Sequence, residues 1–309
     1  MPTLPTIPKE FVRPLAIHGL AGRVVELPAP DTKHTTDILV IYGHHSSLER
    51  MYSTAEAINQ FGSIIMPDLP GFGGMPSLAD IGKRPSIDNL ADYLADFVRQ
   101  RFIHGKKFVI FGMSFGFVVA TRMLQRHPEL QKQVQFVISF VGFTHFKDFK
   151  VKARTYNLLK FTASTLSKRR LPARIIASTI VQRPFIASAY NLRAKTHPKM
   201  KGFSYDERKS LIDFEVILWQ SNELFTYFAT GHEMLTLDLT HTKIAVPVHH
   251  IAVEADQYFD NKVVKRHMEQ VYAEYYPHEA QMENHAPTII ETAEVAKRII
   301  PKTIGDLFS

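Results

Sequence analysis

One pentapeptide constrains the fold of this chain more than any other feature. Residues 112–116 read Gly-Met-Ser-Phe-Gly, with Ser114 at the centre. The four apolar residues before it, 108–111, predict a short strand buried on both faces, as in parallel sheets. The apolar stretch after it, 117–124, predicts a helix that ends before Pro128. The pattern therefore predicts a strand, a sharp turn and a helix, with a serine hydroxyl at the apex of the turn.

The residue types in this turn have a physical reason. A strand that reverses directly into a helix strains the apex residue and crowds its neighbours, so glycines are needed two residues away on either side. The N-terminus of the following helix places N–H groups and the positive end of its dipole beside the apex. Ser114 is therefore a candidate nucleophile.

Further apolar runs and helical patterns alternate along the chain. Arg23 to Leu27 favours an early strand, whereas residues 1–15 are expected to be irregular. Strands are also predicted at 37–42, 63–66, 135–141, 244–253 and 278–282, and helices at 48–60, 86–98, 261–272 and 288–300. This alternation predicts an α/β fold with a mostly parallel central sheet flanked by helices.

Residues 143–243 interrupt the alternation. Their apolar residues recur at helical spacing, and an all-helical segment of this length between two strands is typical of a cap over the strand ends. We therefore expect a core formed by residues 1–142 and 244–309, with residues 143–243 as an inserted helical cap.

The net charge of +7 is concentrated in this insert. Residues 143–243 contain 17 Lys or Arg against 8 Asp or Glu. Such a segment could attract anionic substrates, phospholipid surfaces or nucleic acid. Solvated helix faces are the simplest interpretation, and no alternation of aromatic and basic residues indicates nucleic-acid binding. A transient contact with an anionic membrane surface through the basic cap remains an expectation, and no obligate protein partner is evident.

Cysteine is absent from the sequence, which excludes disulfides, thiolate metal sites and cysteine nucleophiles. The hydrophobic content of 45% is enough for a full core. No secretory leader and no apolar run long enough to span a membrane is evident. A cytoplasmic protein is therefore expected.

A serine hydroxyl at neutral pH needs a base, which a carboxylate orients. Along the chain the candidates follow in the order Ser114, Asp256 and His285, with Asp256 after a predicted strand and His285 before the last helix. Asp148 and Asp260 remain alternatives for the acid, and His278 and His241 for the base. His249 and His250 lie inside an apolar strand and are expected to be core residues.

With these residues in view, the chain resembles the α/β-hydrolase-fold serine hydrolases that carry a helical cap. The resemblance spans roughly residues 20–300 and rests on four segments of the sequence: 112–116, 68–73, 246–256 and 284–287. It implies Ser114 as nucleophile, His285 as base and then acid, and Asp256 as the orienting carboxylate. It also implies no metal and no organic cofactor.

The turn after the second buried strand, residues 43–47, is the candidate oxyanion loop. We expect the backbone N–H groups of His44 and Phe115 to bind the developing oxyanion. Gly43, His45 and Met113 are expected to line the substrate site. The adjacent pair His44 and His45 is not expected to bind a metal, because neighbouring loop histidines rarely point at one ion.

Three residues depart from the family pattern. Tyr42 stands where the family usually has histidine, Val253 where glycine is frequent, and Phe117 where a small residue follows the turn. The departures at Tyr42 and Phe117 motivate one alternative, a binding protein that has the fold but does not turn over a substrate.

The expected reaction is acyl transfer through an acyl-enzyme, on a small-molecule carboxylic ester. The aromatic residues of the cap, Trp219 among them, suggest an apolar acyl group. A carbon–carbon bond hydrolase is the enzymatic alternative, since a positive cap would steer an anionic substrate. A serine at the apex argues against epoxide hydrolase or haloalkane dehalogenase chemistry, which uses a carboxylate nucleophile in this fold.

Overall fold

The computed structural model describes residues 6–193, 205–254, 256–280 and 292–308. Eight strands form one sheet in the spatial order β1-β2-β4-β3-β5-β6-β7-β8. Their bounds are β1 Val12–Ile17, β2 Leu20–Leu27, β3 Asp37–Ile41, β4 Ser63–Pro67, β5 Phe108–Met113, β6 Val134–Phe140, β7 Val248–Val253 and β8 Tyr275–Ala280.

The sheet is parallel from β4 to β8, and β2 pairs antiparallel with both β1 and β4. All five residues of β3 are buried, as expected for a central parallel strand covered on both faces. In the register between β3 and β5, Ile41 pairs with Gly112. The carboxyl ends of these two strands therefore meet at the turn that carries Ser114.

Eleven helices occur in the described ranges. Their bounds are α1 Leu48–Ile58, α2 Ile87–Arg101, α3 Phe115–Arg126, α4 Ala153–Leu166, α5 Arg170–Thr179, α6 Arg183–Arg193, α7 Tyr205–Ser221, α8 Leu224–Met234, α9 Asn261–Val271, α10 Ala293–Ile299 and α11 Lys302–Gly305. Helices α2 and α3 pack against each other, as do α1 and α10. Ser47 caps α1 and Ser86 caps α2, each accepting a hydrogen bond from the N–H three residues on, as serine at this position commonly does.

The predicted α/β class and mostly parallel sheet are confirmed, and three of the strand predictions need correction. The strand predicted at 244–253 begins only at Val248. The lead-in is not irregular to residue 15, because β1 begins at Val12 and forms one edge of the sheet. Its proline, Pro14, and its mostly exposed side chains hid it, and both are tolerated in an edge strand. The last strand begins at Tyr275, three residues before the predicted start, and it also contains a proline on an edge.

Helices α4 to α8 all lie between β6 and β7. Part of this helical insert has its own small apolar core, in which Ala173, Ile212, Val216 and Leu224 pack together. The bounds of the insert at 143 and 243 stay a prediction. No helix in the described ranges is both long and apolar enough to cross a bilayer.

Candidate active site

Ser114 occupies the turn between β5 and α3 in a strained backbone conformation, with φ 48° and ψ −112°. A positive φ is uncommon for any residue with a Cβ atom. The turn is held by the N–H of Ser114, which donates to the carbonyl of Phe140 at 2.8 Å, and by the N–H of Phe117, which donates to the carbonyl of Ser114 at 3.1 Å. Strain of this kind concentrates at functional sites, and the Ser114 side chain stays partly exposed.

The glycines on either side of Ser114 are required by close backbone approach. A Cβ atom on Gly112 would lie 2.6 Å from Cα of Phe117. A Cβ atom on Gly116 would overlap the carbonyl oxygens of Ile41 and Tyr42. Because these contacts are with backbone atoms, they cannot relax by side-chain movement, and helix α3 can approach the sheet this closely only with glycine at both positions.

The predicted oxyanion loop lies directly beside Ser114. A Cβ atom on Gly43 would lie 3.4 Å from the carbonyl oxygen of Met113 and 3.6 Å from Cβ of Ser114. The N–H groups of His44 and Phe115 donate no hydrogen bond to any residue that the structure describes. Phe115 is the first residue of α3, so its N–H is one of the unpaired donors of a helix N-terminus. The turn thus provides two neighbouring segments with amide donors available to an anion.

Asp256 follows β7 and is buried, with 2% of its surface exposed. Its Oδ1 accepts hydrogen bonds from the N–H groups of Tyr258 at 2.7 Å and Phe259 at 3.1 Å. These two amides fix the orientation of the carboxylate at the carboxyl end of the sheet. The predicted base, His285, lies outside the described residues.

The His44 ring fastens the oxyanion loop to the insert. Its Nε2 lies 3.2 Å from the carbonyl oxygen of Tyr227 and 3.0 Å from Oγ1 of Thr230, both on α8. A carbonyl can only accept, so Nε2 carries the proton. Burial, and secondarily the neighbouring His45, lower the His44 pKa to about 3. The ring is therefore neutral at pH 7 and serves as an anchor for the backbone N–H beside it.

His45 points away from His44, towards helix α7. Its Nε2 lies 3.2 Å from Oε2 of Glu215, and its ring packs against Trp219 with centroids 4.4 Å apart. Its backbone φ is 55°, and its carbonyl accepts from Nη1 of Arg50 at 2.8 Å. The two histidines thus have separate hydrogen-bond partners, although both rings contact Tyr227. No group of three His, Asp or Glu side chains suited to a metal occurs in the described part of the chain.

Comparison with protein-family models gave no match, and neither did a search of curated protein sequences. Solved structures match over nearly the whole length. An esterase (EaEST) from Exiguobacterium antarcticum aligns with a TM-score of 0.66 at 14% identity, covering 95% of this chain and 97% of that one. The epoxide hydrolase CorEH aligns with a TM-score of 0.65 at 12% identity, covering 96% of each chain. The N-acyl homoserine lactonase AidH aligns with a TM-score of 0.59 at 14% identity, covering 96% and 94%.

The strand order, the strained serine turn and these alignments agree. The chain has the α/β-hydrolase fold. At this level of identity the similarity concerns the fold alone, so activity has to be argued from the residues of the site.

Two departures from the pattern of α/β-hydrolase-fold enzymes are accommodated locally. The hydroxyl of Tyr42 is buried and accepts a hydrogen bond from the N–H of Leu69 at 2.7 Å. The ring of Phe117 fits because Gly142 has no side chain; a Cβ atom there would overlap the ring. The far side of the ring stacks on Tyr272 with centroids 5.9 Å apart. Phe117 therefore does not push α3 away from the sheet.

The alternative acids have other partners in this α/β-hydrolase fold. Oδ2 of Asp148 accepts from the N–H groups of Thr144 and His145, both at 2.9 Å, and Oδ1 accepts from Nδ1 of His267 at 2.5 Å. Asp260 caps α9, and its Oδ1 accepts from the N–H of Lys262 at 3.0 Å. Both alternative acids therefore have structural contacts of their own. The Oδ1 of Asp256, in contrast, accepts from two amides of the loop directly after β7.

The alternative bases also lie elsewhere. His278, on the edge strand β8, has its Nε2 3.1 Å from Nδ1 of His249 and its Nδ1 2.7 Å from Oγ1 of Thr303. The His241 side chain is 82% exposed and pairs with Asp238. His249 and His250 are buried in β7, as the sequence predicted.

Sequence reasoning missed a polar cluster where the insert meets the oxyanion loop. Glu215 is buried in α7, and its Oε2 accepts from His45 and, at 2.9 Å, from the Tyr190 hydroxyl. Burial, and next the Glu215 charge, raise the pKa of Tyr227 to about 12. Glu215 lies on the apolar face of α7 that Leu211, Phe214 and Leu218 form. A charged residue on an apolar helix face is the sequence signal that indicates a buried polar cluster here.

An apolar pocket of about 380 Å³ opens between α5, α6, α7 and α8. Its walls include Ile176, Val181, Ile186, Leu224 and Phe228. Trp219 lines the same pocket and also contacts the ring of His45. This side chain therefore lies between the pocket and the oxyanion loop.

Proposed function

We propose that the protein is a serine hydrolase that cleaves a carboxylic ester through an acyl-enzyme. The single observation that carries the proposal is the strained, partly exposed Ser114 between two glycines that no other residue could replace. Maintaining a conformation of this kind has a cost in stability, and a reactive hydroxyl at the carboxyl end of the sheet is what the conformation provides.

In the proposed reaction, Oγ of Ser114 attacks the ester carbonyl carbon while His285 takes the hydroxyl proton. The tetrahedral intermediate collapses, and His285 returns the proton to the departing alcohol. Water, deprotonated by the same histidine, then attacks the acyl-enzyme and releases the acid and free Ser114. Asp256 orients the imidazole and stabilises its positive charge.

The developing negative charge falls on the carbonyl oxygen. We assign its stabilisation to the N–H groups of His44 and Phe115. Support comes from the anchoring of the His44 ring on α8, since donors held in place before the reaction need no reorganisation during it.

We assign the acyl group to the apolar pocket of the insert. Its lining is apolar apart from the polar tips of Tyr190 and Trp219, and Trp219 links it to the oxyanion loop. Transfer of each methylene from water to such a pocket contributes about 0.8 kcal/mol. Esters with a medium or long unbranched acyl chain are therefore the expected substrates.

The structural neighbours include enzymes named for the hydrolysis of acyl bonds and enzymes named for the hydrolysis of epoxides. Two are called esterases and one a lactonase, whereas one is called an epoxide hydrolase and another a putative epoxide hydrolase. Epoxide opening in this fold uses a carboxylate nucleophile, and this chain has a serine at the apex. We therefore place it with the acyl-transfer enzymes.

A carbon–carbon bond hydrolase acting on an anionic substrate is the second candidate. The observation that favours it is Arg50, which is partly buried beside the oxyanion loop. No carboxylate of the described residues lies within 4 Å of its guanidinium, and burial lowers its pKa. A guanidinium in such a place would suit a substrate carboxylate.

A series of p-nitrophenyl esters of increasing acyl length tests the proposal, with a vinylogous diketone acid as a second substrate. We expect turnover of medium-chain esters by the wild type and none by Ser114→Ala. Turnover of the diketone acid alone would replace the ester assignment with the second candidate. Failure of both substrates would favour a binding protein without turnover.

A further inference from the structure

The insert carries an unusually one-sided run of charge. Between Asp148 and Asp206 the sequence contains thirteen Lys or Arg residues and no Asp or Glu. Among them, Lys160, Lys168, Arg169 and Arg174 form no salt bridge with any described residue. Their positive charge is therefore available to a partner.

The same segment exposes large apolar side chains. Seven of the twelve exposed large hydrophobic residues in the described ranges lie within it, which is a concentration that scattered surface residues do not show. We define the basic apolar face by six of them: Leu158, Phe161, Leu171, Ile175, Ile180 and Phe185. The members on α4 and on α5 are spaced three and four residues apart, so they share one side of each helix.

The apolar pocket opens onto this face. Ile180 and Phe185 are 58% and 59% exposed, and both also line the pocket. At its other end the pocket reaches Trp219, which contacts His45 of the oxyanion loop. Trp219 and His45 thus connect the pocket, and through it the basic apolar face, to the loop beside Ser114.

We propose that the basic apolar face docks on the surface of a lipid bilayer that contains anionic headgroups. Lys and Arg bind the headgroups, while the exposed Leu, Ile and Phe side chains enter the boundary between headgroups and acyl chains. Charge complementarity selects this partner. A second copy of the chain would bring two positive faces together. Four of the six apolar side chains of the face are aliphatic and do not offer nucleic acid the aromatic stacking that it uses.

Docking would place the pocket mouth in the layer where lipid acyl chains are found. This part of the inference rests on the proposed function, because it gives the enzyme its substrate by lateral entry from the bilayer. The docking itself needs no catalysis, and the two claims are therefore tested separately.

The test is sedimentation of the full chain with vesicles of phosphatidylcholine, with or without an equal part of phosphatidylglycerol. We expect binding only to the anionic vesicles, equally for the wild type and for Ser114→Ala. Phe161→Ser with Leu171→Ser should reduce binding, as should the combined change of Lys168, Arg169 and Arg174 to glutamine. Each cation near an anionic surface contributes about fivefold to the binding constant, so the charge variant should lose at least about tenfold.

Matched controls carry equivalent changes outside the face. Ile103→Ser with Val295→Ser removes exposed apolar side chains that lie outside the helical insert. Glutamine at Lys262, Lys265 and Arg266 removes exposed cations of α9. Both controls should bind like the wild type. Every face variant and every control variant should also hydrolyse a short soluble ester at the wild-type rate, which reports a folded enzyme.

The proposal fails if the wild type ignores anionic vesicles, or if the controls lose as much binding as the face variants. It also fails if the face variants bind anionic vesicles as well as the wild type does. A wild type that is a dimer, together with face variants that are monomers, would show that the face binds a second copy of the chain instead. Binding without ester hydrolysis would leave the docking surface in place and remove the proposed function.

Discussion

Nδ1 of His267 donates a hydrogen bond to Oδ1 of Asp148 at 2.5 Å, and this pair engages one oxygen of the alternative acid. Asp148 follows β6 and is fully buried. Its other oxygen accepts from two loop amides. With both oxygens engaged, Asp148 holds the loop between β6 and the insert, which supports the proposal that Asp256 is the acid of the triad.

The two aspartates should therefore respond differently to the same change. Asp256→Asn keeps an oxygen for the Tyr258 and Phe259 amides but removes the charge that supports the histidine. We expect kcat on esters to fall on the order of a thousandfold, with little change in Tm. Asp148→Asn should keep kcat near the wild-type value and lower the free energy of unfolding by about 1–3 kcal/mol, because buried polar groups lose a charged partner. Steady-state kinetics and chemical unfolding of both variants check this, and the reverse result would make Asp148 the catalytic acid.

The fit between Phe117 and Gly142 predicts a position that tolerates no side chain. A methyl group on Gly142 would overlap the Phe117 ring, so Gly142→Ala should destabilise the fold by about 1–3 kcal/mol. Gly231→Ala is the matched control. The new Cβ atom there meets only His44, at 3.9 Å, and inside α8 alanine should stabilise by about 0.5–1 kcal/mol. Equal unfolding midpoints for the two variants would show that the packing of Phe117 has been misread.

Buried histidines predict an acid-sensitive fold. Burial, partly offset by Asp256, lowers the pKa of His250 to about 3, whereas the unfolded chain titrates near 6.5. Protons then bind the unfolded state more strongly, so the contribution is full above pH 6.5 and is lost as the pH falls towards 3. Between pH 7.5 and pH 5, His250 alone should account for about 2 kcal/mol of lost stability.

Denaturant unfolding at the two pH values, with His250→Gln as the variant, measures this contribution. Glutamine has no titration in this range and can still hydrogen-bond to Ser139, the present partner of His250 Nδ1 at 3.0 Å. The pH-dependent loss should shrink by the stated amount. An unchanged loss would show that His250 accepts a proton within the folded protein.

The assignment of the acyl group to the apolar pocket predicts that filling this pocket impairs the hydrolysis of long-chain esters selectively. Ala189 lines the pocket and Ser188, its neighbour on α6, does not. Ala189→Trp should lower kcat/KM for long-chain esters by roughly 10- to 100-fold, as expected when two or three methylenes lose their burial, and should leave acetate and butyrate esters nearly unaffected. Ser188→Trp should change neither. A uniform loss over all chain lengths would place the acyl group elsewhere.

Much of the fold could be predicted because its central strands are buried on both faces. Strands β3 and β5 contain the uninterrupted apolar runs 38–41 and 108–111, and the turn around Ser114 follows from the spacing of two glycines. The edge strands were harder. β1 and β8 are largely exposed and each contains a proline, so neither alternation nor apolar content marks their ends.

The site was only partly predictable for a related reason. Ser114 and Gly43 closely follow the ends of the neighbouring strands β5 and β3, and their proximity follows from the topology of a parallel sheet. The contacts of His45 with Glu215 and Trp219 depend on how the insert folds back over the sheet. Nothing in local spacing specifies such a contact between residues so far apart in the chain.

Labelling with a fluorophosphonate probe tests the central claim most directly. The reagent reacts with a serine only when a base activates the hydroxyl and an oxyanion site binds the phosphoryl oxygen. We predict stoichiometric labelling of the wild type, with the adduct mapped to Ser114 by mass spectrometry, and no labelling of Ser114→Ala or of folded His285→Ala. An unlabelled wild type, or a label on another residue, would contradict the assignment of Ser114 as the nucleophile.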